Sequence, residues 1–60
     1  MKYKQFHNFI IKSGWVAVRQ RGSHVLYAKE GYPRLVPVPL HTGEIPEPLR
    51  RAIMKEMGLK

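Results

Sequence analysis

The sequence predicts a single α+β domain, residues 1–60, with the element order α-β-β-β-α. Three observations carry this prediction. The N-terminal segment has helical periodicity, three short strand-like segments separated by turn residues follow, and a second helical segment runs from about Pro46 to Met57. Hydrophobic residues make up 43% of the chain, which is enough for a small core and too many for a disordered tail.

The first helix is predicted over residues 3–13. At 100° per residue, one stripe collects most of the apolar side chains of this segment. Its members are Tyr3, Phe6, Phe9, Ile10 and Ser13. Gly14 is a natural end for the helix, and Ile11 lies outside the stripe, where we expect it to be exposed.

The period then changes to that of strands, which we predict over residues 15–19, 24–29 and 34–38. A turn over residues 20–23 joins the first two. Pro37 and Pro39 share one parity, so both missing N–H groups face the same side of the third strand. This arrangement predicts a meander with the third strand at the edge, where the prolines block unwanted pairing.

The second helix is predicted from about Pro46 to Met57, with proline in its first turn and Gly58 after its end. Its apolar face holds Leu49, Ala52, Ile53 and Met57. Two helices on one face of a three-stranded sheet form a two-layer α+β sandwich, the layout of the double-stranded-RNA-binding domain.

Composition excludes several classes of protein. The absence of cysteine excludes disulfides, thiolate metal sites and cysteine nucleophiles. The longest apolar run is four residues, too short to span a membrane, and the first residues lack the apolar region of a secretory signal. We therefore expect a soluble, cytoplasmic protein with no membrane contact.

Charge points to a polyanionic partner. Eleven Lys and Arg residues against four Asp and Glu residues give a net charge of +7. Such a basic domain attracts nucleic acid or an acidic protein, although the same charge could simply keep a small protein in solution. The positive residues form two groups. Arg19, Arg21 and Lys29 flank the first hairpin, where we expect them to bind RNA phosphates, while Arg50, Arg51 and Lys55 share the second helix.

The segment over residues 19–24 is the best candidate for chemistry. It places His24 at the start of a strand, beside a flexible turn and close to Arg19 and Arg21. An imidazole can exchange a proton near neutral pH, and guanidinium groups bind phosphate and stabilise charge that builds up on it. These are the minimal parts of an RNA-cleaving site, although a single histidine in this position is often an ordinary surface residue.

Other polar and aromatic residues give weaker signals. Ser23 is interpreted as a turn residue that can contact RNA rather than as a nucleophile, because neighbouring strand residues point to opposite faces. Trp15 is predicted to enter the core, whereas Tyr27 is a candidate for contact with RNA bases. His7 and His41 have no spacing typical of a metal site, so we predict neither a metal nor another cofactor.

Several of these motifs together resemble the HicA toxins of HicA–HicB toxin–antitoxin systems. The matching parts are Gly14-Trp15, Arg21-Gly22-Ser23-His24 with Tyr27 after it, Val36-Pro37-Val38, the helical run from Leu49 to Lys55, and Gly58-Leu59. The similarity covers essentially the whole chain.

This resemblance implies a double-stranded-RNA-binding-domain-like fold and a metal-independent ribonuclease that cleaves mRNA and stops translation and growth. His24 takes the position of the family's catalytic histidine. The implied partner is a HicB-like antitoxin that covers His24, and contact with DNA would be indirect, through that antitoxin. The alternatives are a non-catalytic RNA-binding module and, less favoured because no helix-turn-helix is predicted, a DNA-binding repressor subunit.

Overall fold

The computed structural model describes residues 1–59, and the predicted order of elements is confirmed. The elements are α1 (Tyr3–Lys12), β1 (Val16–Arg21), β2 (His24–Ala28), β3 (Val36–Pro39) and α2 (Glu47–Glu56). No helix in this part of the chain is long and apolar enough to cross a membrane.

The three strands form one antiparallel sheet in the order β1-β2-β3, so the third strand lies at an edge as predicted. Beyond β3, the Leu40 N–H donates to the Ser23 carbonyl at 2.7 Å. Since the N–H of Leu40 points towards the β2 side, the nitrogen of Pro39 faces away from the sheet. The β3 edge is therefore closed to further pairing by its prolines.

The bounds of the strands differ from the prediction by one or two residues. β1 continues to Arg21, because the loop to β2 contains only Gly22 and Ser23 and lets Arg21 pair with His24. Gly22 has a φ of 58°, which a glycine at the first position of such a tight turn adopts readily. At the other edge, β3 begins at Val36 and extends to Pro39.

The core lies between the two helices and the strands β2 and β3. Its buried side chains are Tyr3, Phe6, Ile10, Trp15, Tyr27, Val36, Val38, Ile45, Ile53 and Met57. The predicted burial of Trp15 is confirmed at 1% exposure. No residue of β1 is buried, so this strand projects beyond the layer that the helices cover.

The buried faces of both helices differ from the predicted stripes. In α1 the buried set includes His7, whereas Phe9 is only partly buried. Relative to the predicted stripe, the buried face of α1 is therefore shifted towards His7, both of whose ring nitrogens form hydrogen bonds inside the domain. In α2, Ile53 is buried but Leu49 is exposed, so only the C-terminal half of this helix contributes to the core.

Candidate functional site

The register of the sheet brings the main predicted site residues together. Arg21 lies opposite His24, and Arg19 lies opposite Leu26, two positions further along β2. Because directly opposed residues project to the same face and residues two apart share a face, these four side chains all lie on one side of the sheet. This is the face away from the helices, since Val25 and Tyr27 point to the core side.

We call this surface the outer face, defined by Arg19, Arg21, His24 and Leu26. Pro37 and Pro39 of β3 lie opposite Leu26 and His24 and continue it. Its two arginines and its histidine are all exposed. An exposed surface that carries an imidazole beside two arginines of the adjacent strand suits an extended polyanion.

Ser23 is in the turn that precedes His24, as predicted. Its carbonyl accepts the hydrogen bond from Leu40, while its side chain is exposed. The turn is additionally held by Gln20, whose side-chain Nε2 donates to the Gly22 carbonyl at 3.1 Å. The position of His24 is therefore set by hydrogen bonds on both sides of the turn.

Lys29, which the sequence predicts to bind RNA phosphates together with Arg19 and Arg21, does not lie on the outer face. It lies beyond the far end of β2, where its Nζ donates to the Ser13 carbonyl at 3.1 Å and lies 6.0 Å from the centre of the Trp15 ring. The ammonium group therefore stabilises the turn after α1, near Gly14, instead of extending the positive charge around His24.

Tyr27 is also placed differently from the prediction. Its side chain is 1% exposed and lies on the core side of β2, so its ring offers no face on which a base could stack. The Tyr27 hydroxyl is 2.5 Å from Nδ1 of His7. Burial raises the pKa of this phenol above its ordinary value of 10.0, because the phenolate would lose its hydration.

His7 completes a buried hydrogen-bond chain. Its Nε2 lies 2.8 Å from the carbonyl oxygen of Pro39, which can only accept, so Nε2 carries the proton and donates. Nδ1 is then free to accept from the Tyr27 hydroxyl. This chain ties α1 to β2 and β3 and gives a partner to each ring nitrogen of the buried His7.

Comparison with known protein families decides the assignment. The family described as HicA toxin of bacterial toxin-antitoxin systems matches residues 3–59. The chain belongs to the HicA toxin family. No curated protein matches it.

The cations of α2 in this toxin are partly engaged. Arg50 donates to Glu47 at 2.5 Å and to the Met54 sulfur at 3.0 Å. The hydrogen bond from Arg50 lowers the pKa of the Glu47 carboxyl and raises that of the Arg50 guanidinium. Arg51 and Lys55 stay exposed on the helix layer, on the opposite side of the domain from the outer face.

The remaining histidine, His41, is exposed in the segment between β3 and α2, with its ring edge-to-face against Tyr3 at 5.3 Å. It does not lie in any strand of the sheet. Within residues 1–59, no three His, Asp or Glu side chains gather into a cluster that could hold a metal ion.

Sequence reasoning overlooked the pair formed by His7 and Tyr27. The sequence nevertheless indicates that each of the two residues is buried. Tyr3, Phe6, His7 and Ile10 follow the i, i+3, i+4, i+7 spacing of a buried helix face, and Tyr27 has the opposite strand parity to His24. Placing His24 outside therefore requires Tyr27 to point inside.

Proposed function

We propose that this toxin is a metal-independent endoribonuclease that cleaves mRNA, with His24 as the residue that moves the proton. The observation that carries the proposal is the outer face itself. It presents an exposed imidazole directly opposite Arg21, on the face it shares with Arg19, at an open surface that a single RNA strand can reach.

In the proposed reaction, neutral His24 accepts the proton of a ribose 2′-hydroxyl. The 2′-oxygen attacks the adjacent phosphorus, the bond from phosphorus to the 5′-oxygen breaks, and the leaving oxygen takes up a proton from imidazolium or water. The products are a 2′,3′-cyclic phosphate and a 5′-hydroxyl end. This route needs a proton carrier and positive charge beside the phosphate.

Arg21 and Arg19 would supply that charge. A guanidinium group holds two phosphate oxygens at once and stabilises the extra negative charge of the transition state. Ser23, in the turn next to His24, would contact the same strand through its hydroxyl. Tyr27 and Lys29 have no place in this set, since one is buried and the other is bound to the turn after α1.

An antitoxin would silence this activity in the cytoplasm, where mRNA is found. Membership of a toxin–antitoxin family implies such a partner. We propose a HicB-like protein that covers His24, with contact to DNA only through that protein. Because the toxin has a net charge of +7, we expect the antitoxin to bind it through an acidic surface. That surface would compete with RNA for the arginines and would also cover the outer face.

The test is to map the ends of RNA incubated with the purified toxin in the presence of a chelator. We expect 2′,3′-cyclic phosphate and 5′-hydroxyl ends from the wild type and none from His24→Ala. His41→Ala is the matched control, because it removes an exposed histidine that lies outside the sheet, and it should cleave like the wild type.

Two results would contradict the proposal. Equal cleavage by His24→Ala would remove His24 from the mechanism, and intact RNA with folded wild-type toxin would favour a non-catalytic RNA-binding module. In that second case His24→Ala would also fail to relieve growth arrest on expression. Cleavage that stops in chelator and returns with a divalent ion would overturn the metal-independent mechanism.

A further inference from the structure

The two edges of the sheet are protected very differently. At the β3 edge, Pro37 and Pro39 remove the N–H groups that would face an added strand. At the β1 edge there is no proline, and the strand is six residues long. Folded proteins usually shield such an edge, because its free N–H and C=O groups are a template for another chain.

The main-chain groups of Gln20 are among those that face outwards. Arg21 and His24 close a two-residue turn and so form a hydrogen-bonded pair. Hydrogen-bonded and non-hydrogen-bonded pairs alternate along an antiparallel ladder, which makes Gln20 and Val25 a non-hydrogen-bonded pair. The N–H and C=O of Gln20 therefore point away from β2, towards solvent.

The side chains beside this edge are apolar and basic. Val16 is 60% exposed and Val18 is 51% exposed, and Arg19 and Arg21 are exposed on the same strand. Val18 also lies at an irregularity in the pairing with β2, between Ala17 and Arg19. The helices bury no side chain of this strand, so nothing in the described chain covers it.

We propose that the antitoxin adds an extended, acidic segment to the free edge of β1, as a fourth strand of the sheet. Charge favours this occupant. Carboxylates at alternate positions of the added strand would lie beside Arg19 and Arg21, and its apolar residues would pack against Val16 and Val18. A second copy of the chain is disfavoured, because it would bring together two +7 molecules and the arginines of both β1 strands.

This inference builds on the proposed function in one respect. A strand added at β1 would place its carboxylates next to the arginines that are proposed to hold phosphate. Inhibition would then follow from competition for Arg19 and Arg21, even where the antitoxin does not touch the imidazole of His24. The edge itself is a property of the sheet and does not depend on the catalytic role of His24.

The experiment measures binding between the full-length toxin and a full-length HicB-like antitoxin that neutralises it. Gln20→Pro removes an outward N–H near the turn end of the free edge without removing a hydrogen bond between β1 and β2. Gln20→Ala is the matched control, because it also loses the side-chain bond to Gly22 but keeps the N–H. We expect the proline variant to bind the antitoxin about tenfold or more weakly than the alanine variant, which should bind within about twofold of the wild type.

Amide hydrogen exchange of the unmodified complex gives a second measurement that needs no variant. The Gln20 amide should become strongly protected when the antitoxin binds. Equal affinities of folded Gln20→Pro and Gln20→Ala, or an unprotected Gln20 amide in the complex, would overturn the inference. A dimeric free toxin with that amide already protected would also overturn it, in favour of a second copy.

The outcomes separate this inference from the proposed function. If the antitoxin leaves the β1 edge open while His24→Ala abolishes cleavage, the edge proposal fails and the nuclease stands. If Gln20→Pro no longer binds the antitoxin, but neither the wild-type toxin nor His24→Ala cleaves RNA, the edge proposal stands and the nuclease proposal fails.

Discussion

His7 and His24 lie on opposite faces of the same corner of the sheet, and the sequence alone does not reveal how different they are. His24 lies opposite Pro39 in the sheet, on the outer face. His7 approaches Pro39 from the helix side and donates to its carbonyl oxygen. The imidazole of His24 is exposed and lies across from Arg21, whereas the imidazole of His7 has both nitrogens hydrogen-bonded inside the domain.

The comparison teaches that access and free nitrogen atoms, not residue type, decide which histidine can perform chemistry. Both ring nitrogens of His7 are engaged in buried hydrogen bonds, so neither is available to a substrate. The ring of His24 is exposed and makes no hydrogen bond within residues 1–59, so a substrate can reach its nitrogens. Substitutions at the two positions should therefore affect different quantities.

The largest effect is expected for His24→Ala. Loss of a general base slows cleavage by about 10²–10⁴-fold. The thermal midpoint should not change, because an exposed imidazole contributes little to the core. Single-turnover cleavage of a short RNA, together with a melt followed by circular dichroism, checks both statements. A large drop in the midpoint would show that His24 has a structural role like that of His7.

His7→Ala should show the reverse pattern. It leaves the Tyr27 hydroxyl and the Pro39 carbonyl buried without partners and opens a cavity, which costs about 2–4 kcal/mol in the free energy of unfolding. Urea unfolding at low temperature measures this loss. Cleavage per folded molecule should remain close to that of the wild type, and a catalytic defect that exceeds the loss of folded protein would contradict the comparison.

The sequence predicted the order of elements, the edge position of β3 and the burial of Trp15, because these depend on local patterns: periodicity, proline parity and a helix-ending glycine. It also grouped Arg19, Arg21 and His24, since all three flank one tight turn. The roles of Lys29 and Tyr27 depend on partners distant in the chain. Lys29 bonds to Ser13 and Tyr27 to His7. Strand parity shows that Tyr27 points inwards, but no local pattern identifies the partner of either residue.

The exposure of β1 also depends on packing between distant parts of the chain, so its apolar residues do not reveal it. Val16 and Val18 are typical of a buried strand, yet the helices cover only β2 and β3. How much of the sheet the helices cover depends on the way the helices pack against it, and the composition of the chain does not determine that packing. An exposed apolar strand at an open edge is instead a feature that a partner can use.

Tyr27→Phe should destabilise the domain by about 1–2 kcal/mol, because Nδ1 of His7 loses its donor. The variant also tests the pH dependence. Since the pKa of Tyr27 is raised in the folded state, the folded chain keeps the proton where the unfolded chain has released it.

The stability that comes from Tyr27 is therefore complete below about pH 10 and is lost as the pH rises through the folded-state pKa. Thermal midpoints measured between pH 9 and 11 should fall more steeply for the wild type than for Tyr27→Phe. Parallel curves for the two proteins would show that Tyr27 is not the group responsible.

The smallest effect is expected for Arg21→Gln. Removing one phosphate contact should weaken RNA binding by a few-fold and reduce the slope of log affinity against log salt by about 0.7. Arg51→Gln is the matched control, since Arg51 is exposed on α2, on the opposite side of the domain. Equal changes in slope for both variants would mean that RNA does not distinguish the outer face from the helix layer.

Chemical rescue is the most direct test of the central claim that His24 moves the proton during RNA cleavage. Single-turnover cleavage by His24→Ala should be slow in buffer with a chelator and should recover when free imidazole is added, in proportion to the imidazole present as free base. Full-speed cleavage by this variant without imidazole would contradict the account.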